Sequence, residues 1–216
     1  MKWGTVAVGT AVAIALSGCG GGGTSSTATT ASTGKASAAT ALPQGTPATL
    51  RGVHGSVLRR GDLPGFDPGR LTLSTSAENW VAEAPPAQRG PEAASLKALG
   101  FVAGLTEQLA PAKGAAAEGG VSLVEQFRAA KGASDEIATQ LKQALRRGES
   151  AFTVAGIPGA RGFGYSGSST DANVAFAVGP YYYLVGFGYA GGGGTGHPTR
   201  AQLIATAQSL YGRVRA

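Results

Sequence analysis

The sequence predicts an α+β protein: one mostly antiparallel β-sheet with helices packed largely on one face. Three observations carry that prediction. From residue 101 onward, short apolar segments rich in aromatic and β-branched residues are bounded by Gly and Pro, as strands are. Two amphipathic stretches, near 135–147 and 200–214, have helical spacing and recognisable end signals. The resulting order, ββαββββα after a short helical N-terminal segment, joins strands directly to strands and places helices between or after them.

The helical N-terminal segment begins near Leu50, with Val53, Val57 and Leu58 on the same face and Gly61 past its end. Asp62-Leu63-Pro64-Gly65-Phe66 then turns the chain. Ser76 is placed to cap a short turn of helix carrying Trp80, and Pro91–Leu99 has the pattern of another helix. Residues 101–109 and 121–128 are expected as strands, joined by an Ala/Gly-rich loop or wide hairpin. Ser134 offers an N-cap to a helix whose apolar face holds Ile137, Leu141, Ala144 and Leu145. Arg146, Arg147 and Gly148 suit its C-terminal end. Four strands are expected at 151–155, 161–166, 173–178 and 181–189, the last two turned by Gly179-Pro180. Thr199 and Gln202 have capping-box spacing before a final helix lined by Leu203, Ile204, Ala207, Leu210, Tyr211 and Val214.

The N-terminus has a different character. Lys2 precedes an apolar run from Trp3 to Leu16, followed by Ser17-Gly18-Cys19, the order of an export signal. Fourteen residues are too few to span a bilayer, which takes about 20. The Leu16-Ser17-Gly18-Cys19 sequence resembles the lipobox of bacterial lipoproteins. That resemblance implies removal of residues 1–18 and acylation of Cys19, leaving the protein on the extracytoplasmic side of the cell membrane. Cys19 is the only cysteine, so lipidation also disposes of an unpaired thiol in an oxidising compartment. Residues 19–49 form a Gly/Ser/Thr/Ala linker with an r.m.s. reach of about 30 Å. Residues 50–216 are expected as a single α+β domain, large enough to fold without disulfides.

The net charge of +6 is mild, and the basic residues are scattered along the chain. This suits an anionic membrane surface or wall polymer and gives no nucleic-acid footprint. Neither a cofactor nor a metal is implied. Gly162, Gly164 and Gly167 match a dinucleotide fingerprint by letters alone, without the helix that motif must open. His54 and His197, the only histidines, stand outside any ligand-spaced cluster.

Two residue sets are candidate sites. Phe163 and Tyr165 alternate with Gly162 and Gly164, and Phe187 and Tyr189 alternate with Gly186 and Gly188. Side chains alternate across a strand, so each strand has an aromatic side and a bare side that something approaches closely, with a docked helix expected there. Together with Tyr181 and Tyr183, these rings would stack on a glycan or line a groove for a small apolar ligand. The second set is Glu107 and Glu125. A hairpin centred near residue 116 would set the two carboxylates opposite each other, as a wall-polysaccharide hydrolase would need.

The Asp62–Phe66 turn after a short helix, the αβ order that follows and a strand pair with a tyrosine-rich second member show a further resemblance. They resemble actinobacterial envelope lipoproteins and the extracellular sensor domains of mycobacterial membrane Ser/Thr kinases, over residues 50–216 at the level of architecture. Those sensor domains typically hold intramolecular disulfides, for which this chain has no cysteines. The resemblance implies a non-enzymatic extracytoplasmic domain that senses or binds an envelope ligand through a cleft, any signalling requiring a partner. A structural or adaptor lipoprotein presenting a surface to another envelope protein is the alternative.

Overall fold

The structure, a computed structural model, describes residues 42–51, 58–112, 119–164, 169–190 and 198–216. Seven strands form one sheet: β1 (Phe66–Ser74), β2 (Phe101–Pro111), β3 (Gly119–Phe127), β4 (Ser150–Phe152), β5 (Arg161–Gly164), β6 (Ser169–Val178) and β7 (Tyr181–Ala190). Their spatial order is β1-β2-β3-β7-β6-β5-β4, and every neighbouring pair is antiparallel. The helices are α1 (Ala48–Arg51), α2 (Ala77–Trp80), α3 (Pro86–Leu99), α4 (Ala130–Arg146) and α5 (Arg200–Val214). This is the α+β class the sequence indicates.

Chain order fixes where the helices lie. β3 ends in mid-sheet and β4 begins at the far edge, so the connecting α4 must cross one face. It contacts β3, β4, β5, β6 and β7 there, with α2 and α3 on the same side. α5 follows β7 and covers the opposite face, where Leu203, Ala207 and Leu210 are fully buried with Leu50 of α1. Among the described residues, helices therefore lie on both faces, three on the α4 face and two on the α5 face.

Strand parity sorts the core. Along β7, Tyr182 and Leu184 point to the α4 face, and Tyr183, Val185 and Phe187 to the α5 face. Both clusters are apolar, so β7 and its neighbours are hydrophobic on both sides.

Several boundaries differ from expectation, each for a local reason. The folded part begins before residue 50: Leu42 packs on the α5-face cluster, Thr46 is buried and its hydroxyl donates to the Pro43 carbonyl at 2.6 Å. Val53 and Val57 lie outside the described residues. β1 is an added strand. Its Pro68 and Gly69 look like turn residues in sequence, but β1 is an edge strand and the pair sits at a shift in its register with β2. A Cβ on Gly69 would run into the Gln108 carbonyl oxygen, so the bulge needs glycine.

α4 starts at Ala130, not at Ser134. Its N-terminal turn docks on α3 so closely that a Cβ on Gly132 would meet the Leu99 carbonyl. Ser134 lies inside the helix, its hydroxyl donating to the Ala130 carbonyl at 3.2 Å.

The end signals of α2 and α5 act as the sequence indicates. Ser76 Oγ accepts from Asn79 N–H at 3.2 Å. Thr199 Oγ1 accepts from Gln202 N–H at 3.2 Å, and Gln202 Oε1 accepts from Thr199 N–H at 2.8 Å, a complete capping box. Since α5 closes one face, Thr199→Ala is expected to cost about 1 kcal/mol, seen as a fall in thermal midpoint of about 2–4 °C.

Candidate functional site

The expected pairing of Glu107 with Glu125 does not form. β2 and β3 pair with Glu107 opposite Ser122 and with Gly104 opposite Glu125. The two glutamates are thus offset by three residues, an odd number, and project from opposite faces. Both side chains are fully buried. They cannot flank one glycosidic bond, and the hydrolase arrangement is ruled out by register alone.

Each carboxyl instead occupies its own buried setting. Glu107, on the α5 face, has no side-chain hydrogen-bond partner for either oxygen among the described residues, and the Leu58 backbone N–H is the donor that acts on it. Burial pushes its carboxyl up to about 7, with the Leu58 backbone N–H favouring the charged form and Asp62 opposing it. Asp62 itself pairs with Arg213 at 2.7 Å.

Glu125 lies in a polar row on the α4 face. Ser74, Gly104, Glu125, Tyr182 and Ala177 are successive partners across β1, β2, β3, β7 and β6. The Trp80 ring lies on Gly104, where a Cβ would come within 2.5 Å of it. From there Trp80 Nε1–H donates to Glu125 Oε1 at 2.6 Å. The second Glu125 oxygen and the Tyr182 hydroxyl are buried and have no hydrogen-bond partner among the described residues.

α4 brings Glu136 over this row, and Gln140 Nε2 donates to Glu136 Oε1 at 2.5 Å. Burial and the neighbouring Glu136 push the Glu125 carboxyl well above the usual range, against the pull of Trp80. Burial raises Glu136 to about 7, with Gln140 opposing and Glu92 of α3 adding repulsion. Burial and the two carboxylates likewise raise Tyr182. Burial and their mutual repulsion both favour the protonated form of these two carboxyls.

The aromatic set is divided between the faces. Phe163 is buried on the α4 face, while Tyr183 and Phe187 are buried and Tyr181 half-buried on the α5 face. Tyr183 stacks on Phe176 at 5.0 Å, and Phe176 meets Tyr211 of α5 edge-on at 5.8 Å. These rings serve the core. Tyr165 lies outside the described residues, as does the Tyr189 side chain.

The glycine sides are approached closely at three of the four positions, by a side chain or by strand backbone in place of the expected helix. A Cβ on Gly162 would meet the Phe152 ring, one on Gly164 the Asp171 carbonyl, and one on Gly186 the Asn173 amide oxygen; Gly188 faces open space. Cys19, His54 and His197 lie outside the described residues. Among the described residues no three His, Cys, Asp or Glu side chains are grouped to hold a metal ion, and no helix is long and apolar enough to cross a membrane.

Among the described residues, a small groove of about 120 Å³ lies beside Trp80 and Thr106, and a larger one of about 710 Å³ runs along the outer edge of α4. Ile137, Ala138, Leu141 and Leu145 form one wall, and Pro158, Gly159 and Ala177 the other. Lys142, Arg146 and Arg161 stand at its rim. Leu145 is 51% exposed, although helical spacing places it with the core residues. The spacing of Ile137, Leu141 and Leu145 was visible in sequence. That the last of them faces a groove depended on the Pro158–Arg161 turn, which sequence periodicity does not locate.

No family model matches the chain, and no curated protein matches it. Among solved structures it is similar to the extracellular domain of PknH from Mycobacterium tuberculosis, at 12% identity and a TM-score of 0.47, over 70% of this chain and 86% of that one. A likeness of that depth fixes neither fold nor function, which rest on this chain's own side chains.

Two outcomes follow from the buried row. An acid whose folded pKa exceeds its ordinary value of 4.5 keeps its proton in the fold where the unfolded chain has lost it. The folded state then binds more protons, and stability falls as pH rises. That stability is fully present below about 4.5 and is lost through about 7 and above. Urea unfolding should therefore show a lower midpoint at pH 8 than at pH 5, and Glu125→Gln, which keeps an acceptor for Trp80, should shrink the difference. Gly104→Ala should displace the Trp80 ring and cost about 1–3 kcal/mol by the same assay.

Proposed function

We propose that this is a non-catalytic, lipid-anchored extracytoplasmic protein that binds or senses an envelope ligand through the α4 groove. The observation that carries the reading is the groove itself. Its volume falls within the range of about 300–1,000 Å³ usual for small-molecule sites. It also keeps a leucine half in water, at a position that helical spacing assigns to the core.

The rest of the chain supports delivery of that groove to a membrane-proximal space. Residues 1–18 act as the export signal, Cys19 carries the acyl anchor, and the Gly/Ser/Thr/Ala stretch after it tethers the domain. Two or more acyl chains give stable attachment, at about 0.8 kcal/mol per buried CH₂. With Leu42 and Thr46 packed on the domain, the tether that remains before them gives a reach of about 25 Å from the bilayer.

Native mass spectrometry of protein extracted from its own membrane tests both parts. The expected result is a mature chain beginning at acylated Cys19 together with a retained small molecule, with Leu145→Asp losing the small molecule but not the acyl group. Cys19→Ala should move the protein into the soluble fraction. An unmodified thiol with residues 1–18 attached would contradict the anchor, and full retention of the small molecule by Leu145→Asp would contradict the groove.

A further inference from the structure

The groove's chemistry narrows its ligand. Ile137, Leu141 and Leu145 follow one another at four-residue spacing on α4, about 12 Å of apolar wall from first to last. Opposite them stand Pro158 and Ala177. A peptide laid here would have to satisfy its own backbone N–H and C=O groups, and the apolar side chains of Ile137, Leu141, Leu145, Pro158 and Ala177 offer it no partners. An unbranched hydrocarbon chain makes no such demand.

The polar end of the ligand is set by charge. Lys142 and Arg146 are one helical turn apart, both exposed, and Arg161 faces them from the start of β5. Among the described residues none of the three has a carboxylate partner, although Arg161 donates to the Ala160 carbonyl at 3.0 Å. Three cations at the rim of an apolar trough, with no acid to neutralise them, complement an anionic head.

Resting on the groove reading above, we infer that the α4 groove takes a single-chain anionic amphiphile. The hydrocarbon lies along Ile137, Leu141 and Leu145, and the head group rests on Lys142, Arg146 and Arg161. The buried Glu125 and Glu136 lie beneath the inner side of the same helix and do not reach the groove.

The test uses the full chain carrying Cys19→Ser, so that no covalent acyl group competes, with cis-parinaric acid and its methyl ester as fluorescent probes. The acid should bind at least 10-fold more tightly than the ester. The combined K142Q/R146Q/R161Q variant should bring the acid down to the ester's affinity, and raising salt should weaken the acid alone. Leu145→Gln, an exposed position whose change leaves the core intact, should weaken both probes; thermal midpoints check that each variant is folded. If acid and ester bind alike and only Leu145→Gln weakens them, the groove reading stands and the anionic class is wrong. If Leu145→Gln leaves the binding of both probes unchanged, or neither binds to wild type, the groove is not a site for such chains and both readings fall.

Discussion

The crossing of α4 from β3 in mid-sheet to β4 at the far edge is the constraint from which the rest of this molecule follows. A helix on that path has to lie over β7 and β6, and it meets there a row that includes Glu125 and Tyr182. Its inner side answers with Glu136 and Gln140, while its outer edge extends past the sheet's cover and leaves Leu145 beside the Pro158–Gly159 turn. One placement thus generates both a dry polar interior and an open apolar groove.

The polar interior is costly to bury and only partly satisfied. Trp80 and Gln140 each supply one hydrogen bond, leaving one Glu125 oxygen and the Tyr182 hydroxyl without partners among the described residues. Protonation relieves most of the electrostatic cost, because a neutral carboxyl loses far less on leaving water than a carboxylate does. The α5 face has a similar burden in Glu107, so buried acids with raised pKa values are a feature of both layers.

Local signals in the sequence were legible where the physics was local. The capping box at Thr199 and Gln202, the Ser76 cap and the Gly179-Pro180 turn each involve residues within a few positions of one another. Register was not. Whether Glu107 faces Glu125 depends on where the loop between β2 and β3 closes, and a shift of three residues sends the two acids to opposite faces. The aromatic strands show the same limit: alternation says which rings share a side of one strand, but Phe163 of β5 and Tyr183 and Phe187 of β7 face opposite sides of the sheet. β1 was hidden because Pro68 and Gly69 lie at a bulge on an edge, where a strand tolerates residues that normally end one. The groove was least legible, since it arises between a helix and a turn far apart in sequence.

Hydrogen exchange on the full chain, with and without a saturating single-chain fatty acid, tests the central claim most directly. Slowed exchange in residues 134–146 and 158–161, with the β7 strand unchanged, is the result predicted for a ligand seated along α4. Protection confined to β5 and β7, with α4 unaltered, would contradict it and return the binding face to the aromatic strands.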